Sequence, residues 1–156
     1  MLHVVLVEPE IPPNTGNIAR LCLAAGARLH LIGPLGFSTS ESALKRAGMD
    51  YWAKCDIREW TCLDDFFLKG EATRYFFLTT KATKPYWDAS FEQGDALIFG
   101  RESRGLPQSL LDANPNACLT IPMQPEARSL NLATAAGIVL FEAVRQLKKN
   151  HTTSLN

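Results

Sequence analysis

Short apolar runs alternate with segments of helical pattern along the whole chain, and this alternation limits the fold more than any other feature. The apolar runs predict strands at 3–7, 28–32, 51–55, 74–80, 96–99 and 118–121. The remaining patterned segments predict helices at 14–25, 42–47, 62–68, 107–113 and 129–148. Strands and helices that alternate in this way favour an α/β fold, with a mostly parallel sheet and helices on both of its faces.

Length and charge narrow the classes of protein further. The 156 residues are enough for one domain with a complete core and too few for two comfortable ones. We therefore expect a single domain at 1–150 and a disordered tail at 151–156. The 16 basic and 16 acidic residues cancel, so no overall charge attracts nucleic acid or a membrane. Any contact with nucleic acid has to depend on local basic patches.

Cysteines, histidines and apolar runs bear on the compartment and on metal binding. The four cysteines lack Cys-x-x-Cys spacing and the three histidines are scattered, so we expect free, buried thiols and no metal site. The first residues lack a cationic region and a cleavage site, and no apolar run reaches the ~18 residues of a membrane span. We therefore expect a cytoplasmic protein with no membrane partner.

The first of three polar loops that follow predicted strands lies at 9–20. Its prolines are expected to exclude helix and strand, and Asn14 is expected to cap the helix that follows. The free N–H groups at that helix start suit a phosphate or a carboxylate, and Arg20 lies one helical step above Asn17 on the exposed face. A capped helix with a solvated arginine explains the same residues.

The other two loops lie at 100–105 and 122–131. In the former, two glycines enclose Glu102 and two arginines, which suits close approach to a flat ligand, although surface salt bridges also explain such a cluster. In the latter, Ser129 and Asn131 are delivered to the start of the last helix, where Ser129 is either an ordinary N-cap or part of a ligand site. The glycine spacing matches neither a P-loop nor a dinucleotide-binding loop.

The last predicted helix is apolar nearly all round from 130 to 144, interrupted only by Asn131, Thr134 and Glu142. Such a helix must be buried on more than one side. In a domain of this size, a terminal helix of this kind more often meets a second copy of the chain than lies inside one core. We therefore expect a homodimer that forms through this helix.

The residue sequences of the three loops are specific enough to compare with known families. The stretches are P-E-I-P-P-N-T-G-N-I-A-R-L-C at 9–22, L-I-F-G-R-E-S-R-G-L-P at 97–107, and I-P-M through R-S-L-N-L-A at 121–133. They closely resemble the three motifs of the SPOUT superfamily of RNA methyltransferases, in the same order and at about the same spacing. The resemblance covers essentially the whole chain and is strongest to the short tRNA (cytidine/uridine) wobble-position 2′-O-methyltransferases.

This resemblance implies a fold, a cofactor and a reaction. The fold is an α/β domain whose C-terminal part forms a deep trefoil knot, in an obligate dimer. The cofactor is S-adenosyl-L-methionine, with S-adenosyl-L-homocysteine as product. The implied reaction is methylation of the ribose 2′-oxygen of C or U at the first anticodon position, with the tRNA anticodon stem-loop as partner and leucine tRNAs as expected substrates. The dimer surface is then expected to recognise the tRNA.

The resemblance also assigns roles by position. Catalytic roles fall on Arg20, Glu102, Ser129 and Asn131, and donor-binding roles fall on Leu78, Gly100, Ile121, Met123 and Ser129. Contacts to RNA are expected from Arg20, Lys45, Arg46, Lys81, Lys84 and Arg128, with a solvated surface position as the alternative for all but Arg20. The counterpart of Arg20 is regarded as the base in related enzymes. A guanidinium normally keeps its proton, so a fork that grips the adjacent phosphate is an equal alternative.

Two other functions remain open on the sequence alone. One is a non-catalytic RNA-binding or assembly module that keeps the fold, against which the intact catalytic positions argue. The other is a methyltransferase of the same fold that acts on ribosomal RNA or on a base atom, which the chain length and the wording of the first motif disfavour.

Overall fold

The computed structural model describes residues 1–46 and 49–153, without the side chains at 41, 44, 45 and 150–153. Within this part of the chain the strands are β1 (His3–Val7), β2 (Arg28–Ile32), β3 (Ile57–Trp60), β4 (Arg74–Leu78), β5 (Asp95–Phe99) and β6 (Cys118–Leu119). The α-helices are α1 (Pro12–Ala25), α2 (Glu41–Arg46), α3 (Leu63–Lys69), α4 (Gln108–Ala113) and α5 (Leu132–Thr153). Single 3-10 turns lie at Trp52–Lys54, Tyr86–Asp88, Pro115–Ala117 and Pro125–Ala127.

The strands form one sheet in the order β3-β2-β1-β5-β4-β6, and every pair of neighbours is parallel. The α/β prediction is confirmed. β1 pairs with β2 on one side and with β5 on the other, so the strand order reverses between β1 and β5. In parallel sheets, ligands bind beyond the carboxyl ends of the strands at such a point of reversal. The loops after β1 and β5 therefore meet where a site is expected.

Helices cover both faces of the sheet, as predicted. Successive residues of a strand point to opposite faces, so β1 contributes to two core layers. Val4 packs with α1 and α5, where Leu140 is fully buried. Val5 packs on the other face with α3 and α4, where Phe66 is fully buried. The loops after β1, β4, β5 and β6 are thereby held on a rigid base.

The strand predicted at 51–55 is wrong. Residues Trp52–Lys54 form a 3-10 turn, and the edge strand is Ile57–Trp60, which the sequence pattern missed. Ile57 pairs in register with Leu29 along the outer edge of β2. The indole N–H of Trp60 donates to His30 over 2.9 Å. Both segments are short and partly apolar, so only pairing with β2 decides between them.

Two helix starts differ from prediction by more than one residue. Helix α1 begins at Pro12, and its N-cap position is Ile11, so Asn14 lies inside the helix and is not its cap. Prolines fit the first turn because the N–H groups there have no partner within the helix. The last helix begins at Leu132, three residues later than predicted, and runs to Thr153. The predicted end of α1 at Gly26 is confirmed by its left-handed φ of 68°. The predicted stop of α2 at Gly48 lies outside the described residues.

Two histidines that are far apart in the sequence form a buried polar chain. The indole of Trp60 donates to His30 Nδ1, so His30 carries its proton on Nε2 and donates to His3 Nδ1 over 2.9 Å. Both histidines are buried, and burial lowers the pKa of each ring, that of His30 to about 3. These rings are therefore neutral at physiological pH.

The thiol prediction is confirmed in part. All four cysteines are free, but only Cys22 and Cys118 are buried, and Cys62 is exposed. No group of three or more metal-binding side chains occurs among the described residues. In the same part of the chain, no helix is long and apolar enough to cross a membrane.

Candidate functional site

A cleft of about 530 Å³ opens at the carboxyl edge of the sheet. Its walls come from the ends of β4 and β5, from the loops that follow β5 and β6, and from the starts of α1 and α5. All predicted donor-binding residues line it: Leu78, Gly100, Ile121, Met123 and Ser129. The predicted residues Glu102, Asn131 and Lys81 line it as well. Three stretches far apart in the sequence thus meet in one cavity of a size usual for small-molecule sites.

The wall after β5 is a closed loop that requires glycine. The Gly105 N–H donates to the Arg101 carbonyl over 2.8 Å, and Gly105 has a φ of 66°. A Cβ on Gly100 would lie 2.0 Å from the Gly105 carbonyl carbon and 2.2 Å from the Leu106 nitrogen. Only a residue without a side chain allows the backbone to approach itself this closely. The loop therefore presents backbone groups to the cleft at short range.

Glu102 binds the start of helix α1. Its carboxylate accepts backbone N–H groups of Glu10 over 2.9 Å and of Ile11 over 3.1 Å. It also accepts the side-chain amide of Asn14 over 3.3 Å. The N-cap residue Ile11 offers no side-chain cap, so this distant carboxylate supplies both the acceptor and the negative charge that a helix start favours. Surface salt bridges with the two arginines of its own loop were the alternative for Glu102, but its hydrogen-bond partners belong to the first loop.

Asn131 links the first loop to the last helix. Its side-chain N–H donates to Asn14 Oδ1 over 2.9 Å, and its own Oδ1 accepts the N–H groups of Ala133 over 2.9 Å and Thr134 over 3.2 Å. Asn131 is therefore the N-cap of α5, and of the two roles left open for Ser129, the one as N-cap is wrong. Glu102, Asn14 and Asn131 together form one hydrogen-bonded chain across all three loops.

Sequence reasoning missed Asn14 as the centre of this chain. Asn14 is only 7% exposed, so its amide needs partners on both sides. The sequence pattern predicts Asn14 as the N-cap of α1, because asparagine is frequent at N-cap positions. The prolines at 12 and 13 indicate the true start of α1, since two prolines fit the first helical turn and place Asn14 inside the helix.

Two further contacts join the first loop to the second. Arg101 forms an ion pair with Glu8, which has a left-handed φ of 51°. Glu10 accepts the backbone N–H of Ser103 over 3.1 Å and its hydroxyl over 2.7 Å. Hydrogen bonds from the Ser103 side chain and backbone lower the pKa of the Glu10 carboxyl. The acidic side chains near the cleft are therefore held by loop contacts.

Arg20 does not line the cleft of its own chain. It lies on the exposed side of α1, with its guanidinium carbon 4.4 Å from the ring centroid of Tyr51. Asn14, which lines the cleft, is six residues and about 9 Å of helix rise away. The structure therefore separates Arg20 from Ser129 and Asn131 within one chain.

The predicted RNA-contacting residues are spread over the surface. Lys81 lies at the cleft, and its ammonium donates to Gln108 over 2.9 Å. Lys84 and Arg128 are exposed, and Arg128 has a φ of 28° in the loop before α5. The Arg46 guanidinium donates to the Ser42 carbonyl over 3.3 Å in α2. The side chain of Lys45 lies outside the described ones.

The chain is similar to known methyltransferases over nearly its whole length. The chain is 48% identical over 148 residues to the tRNA (cytidine(34)-2'-O)-methyltransferase of Escherichia coli, covering 94% of each chain. A solved structure described as giving insights into the 2-OH methylation of C/U34 on tRNA has 47% identity and a TM-score of 0.88, covering 96% of this chain and 97% of the other. The AdoMet-bound rRNA methyltransferase of Sinorhizobium meliloti has 30% identity and a TM-score of 0.78, covering 94% of this chain and 56% of the other.

The match to a family model covers nearly the same length. Residues 1–141 match the model of the SpoU rRNA Methylase family. This range contains all three loops that build the cleft, together with the Glu102, Asn14 and Asn131 chain that joins them. The protein therefore belongs to the SpoU methylase family.

Proposed function

We propose that this protein is an S-adenosyl-L-methionine-dependent methyltransferase that acts on the ribose 2′-oxygen of the wobble nucleotide, C or U, in tRNA. Near full-length similarity to relatives named for this reaction supports the proposal. The observation that carries it is the convergence of the three motif loops on one cleft. Leucine tRNAs in the cytoplasm are the proposed substrates.

The cleft suits the donor. Leu78, Ile121 and Leu106 offer apolar surface, and the glycine loop brings backbone close to a flat ring. The Ser129 hydroxyl is exposed at the cleft and has no protein partner among the described residues, so it is free for a ligand. S-adenosyl-L-methionine, when bound, supplies a methyl group on a positively charged sulfur. We assign donor binding to Leu78, Gly100, Ile121, Met123 and Ser129.

The chain's own residues bind and orient the RNA for this transfer. The bound donor would supply the methyl group to the ribose 2′-oxygen and would leave as S-adenosyl-L-homocysteine, with the 2′ proton released to water. We assign the ribose to Ser129 and Asn131, which line the cleft, and an adjacent phosphate to the guanidinium fork of Arg20 from the second subunit of a dimer. Glu102 acts as a positioning residue, because three N–H groups already occupy its carboxylate.

A homodimer through α5 and a C-terminal trefoil knot belong to the same proposal. Thr134, Ile138, Phe141 and Arg145 form an outward stripe on α5, and Phe141 is 44% exposed. A second copy of the chain on this stripe covers the exposed ring. Dimerisation also offers a route by which Arg20 of one subunit reaches the cleft of the other.

The proposal is tested by incubating the protein with labelled S-adenosyl-L-methionine and total tRNA from a strain that lacks the enzyme. The modified nucleotide is then mapped. Label on the 2′-oxygen of the wobble nucleotide is the expected result. Donor binding without label in any RNA would instead favour a non-catalytic RNA-binding module, and label in ribosomal RNA alone would favour an rRNA methyltransferase.

A further inference from the structure

We propose that Tyr51 is a positioning residue that holds the guanidinium of Arg20 ready to bind an RNA phosphate. The proposal rests on the function proposed above, in which Arg20 grips the phosphate beside the methylated ribose. It concerns a segment, residues 49–55, that none of the three motif loops contains.

The first observation is the stack itself. The Arg20 guanidinium carbon lies 4.4 Å from the centroid of the Tyr51 ring, within the range of a cation–π contact. Arg20 is exposed and Tyr51 is half-buried, so one face of the guanidinium is covered and the other is open to solvent. The N–H groups of a guanidinium lie in its plane, so stacking on one face leaves them free to donate to phosphate oxygens.

The second observation is that the ring is held by the helix that carries Arg20. The Tyr51 hydroxyl donates to the carbonyl of Gly16. In an α-helix that same carbonyl accepts the backbone N–H of the residue four positions later, which here is Arg20. The tyrosine is thus attached to the helical turn from which the arginine emerges, and the two side chains keep one relative position.

The third observation is the close docking of the whole segment. A Cβ on Gly16 would lie 2.9 Å from the terminal methyl of Met49 and 3.1 Å from the Tyr51 hydroxyl oxygen. The Cys55 thiol donates to the Ala19 carbonyl over 3.5 Å, one turn further along α1. Glycine at 16 therefore makes room for the segment. Residues of the segment before and after Tyr51 contact α1.

The charge around Arg20 points the same way. Among the described side chains, no carboxylate forms an ion pair with Arg20, whereas Arg28, Arg74 and Arg101 are paired. Among these side chains Arg20 contacts a neutral ring, so no neighbouring carboxylate offsets its charge toward a ligand. A tyrosine restrains this charge without neutralising it, which a glutamate or aspartate at position 51 cannot do.

The test is single-turnover methylation of the tRNA used above, with excess enzyme. Tyr51→Leu removes the ring but keeps apolar bulk, and we expect the rate to fall by about 3- to 30-fold, the range of one cation–π contact. Tyr51→Phe keeps the stacked ring but loses the hydroxyl bond to Gly16, so its rate is expected to lie between that of Tyr51→Leu and that of the natural protein. Cys55→Ala, which removes another contact of the same segment with α1, is the matched control and should keep the natural rate.

Coupling to Arg20 separates positioning from a structural role. In an Arg20→Ala background, Tyr51→Leu should cause no further loss, and donor affinity should be unchanged in every variant. Ring-current shifts of the Arg20 side-chain protons, measured by NMR, should be present in the natural protein and absent in Tyr51→Leu. An equal loss in both backgrounds, or an unchanged rate in Tyr51→Leu, would overturn the inference. Full activity of Arg20→Ala would refute the proposed role of Arg20, and the proposed role of Tyr51 with it. The absence of any methylation by the natural protein would instead refute the proposed function.

Discussion

The side-chain N–H of Asn131 donates to the side-chain oxygen of Asn14 across 2.9 Å, joining two residues that are 117 positions apart in the sequence. Asn14 in turn donates to Glu102, and Asn131 accepts the first N–H groups of α5. The starts of two helices and the loop after β5 are therefore fixed by one polar chain. Loss of any member breaks a hydrogen bond between two of the three loops.

Asn14→Ala removes the centre of this chain. We expect the free energy of unfolding to fall by about 1–3 kcal/mol, because two side-chain hydrogen bonds of a buried amide, one to Asn131 and one to Glu102, are lost. Methylation should fall as well, since the loops lose their common anchor. Urea denaturation and single-turnover rates measure the two effects. Asn17→Ala, on the exposed side of the same helix, controls for stability and should change it by less than about 0.5 kcal/mol.

Glu102→Gln keeps the shape of the side chain but turns part of the acceptor into a donor. The first N–H groups of α1 then face an amide, so we expect a stability loss of about 1–2 kcal/mol together with a lower rate. Glu59→Gln, on exposed β3 surface, is the matched control. A reduced rate at unchanged stability would instead indicate that Glu102 takes part in proton transfer.

Gly100→Ala places a Cβ inside the backbone of the loop that follows β5. The overlap with the Gly105 carbonyl carbon cannot be relieved by rotation of a side chain, so we expect lost donor binding and a stability loss above about 3 kcal/mol. Gly26→Ala has open space around its Cβ and strains only φ, so it should cost about 1 kcal/mol and leave donor affinity intact. Calorimetry with S-adenosyl-L-methionine checks both.

The buried His3 and His30 pair predicts acid sensitivity. The pKa of His30 is lowered to about 3 in the folded protein, chiefly by burial, while the unfolded chain titrates near 6.5. Below pH 6.5 the unfolded chain binds more protons, so the stability falls with falling pH, with His30 contributing up to about 1.4 kcal/mol per pH unit and His3 acting in the same direction. Above pH 6.5 this contribution is constant.

Urea denaturation between pH 5 and 7.5 measures this slope, in a window where most carboxylates stay ionised. His30→Leu should reduce the slope of stability against pH. The stability of this variant at pH 7.5 should itself be lower, because Trp60 and His3 lose their partner. A slope that is the same in both proteins would show that other groups dominate the acid response.

RNA binding should weaken as salt rises, with a slope set by the number of phosphates contacted. Replacing both Lys81 and Arg128 by alanine should reduce the slope by about two, if each contacts one phosphate. Lys69→Ala, at the end of α3 and paired with Asp65, should leave it unchanged. Affinity that does not depend on salt would contradict phosphate contact by these residues.

The fold was largely predictable because its signals are local. The apolar pattern of β1, β2, β4 and β5 and the glycine after α1 depend on neighbouring residues alone, and each predicted element is found in place. The strand predicted at 51–55 is the exception, because 51–55 and 57–60 have similar short apolar patterns. Which of the two joins the sheet depends on pairing with Leu29 and on the reach of Trp60 to His30.

The sequence by itself determined which loops build the site, since their wording matched one family and all predicted donor-binding residues line one cleft. Only the tertiary structure decided what the polar residues do there. Glu102 caps a helix 91 residues earlier in the chain, Asn131 rather than Ser129 caps α5, and Arg20 stacks on Tyr51 outside the cleft. Hydrogen bonds and ring contacts between distant residues depend on angstrom-scale distances, which a linear pattern does not contain and which arise only when the sheet brings the loops together.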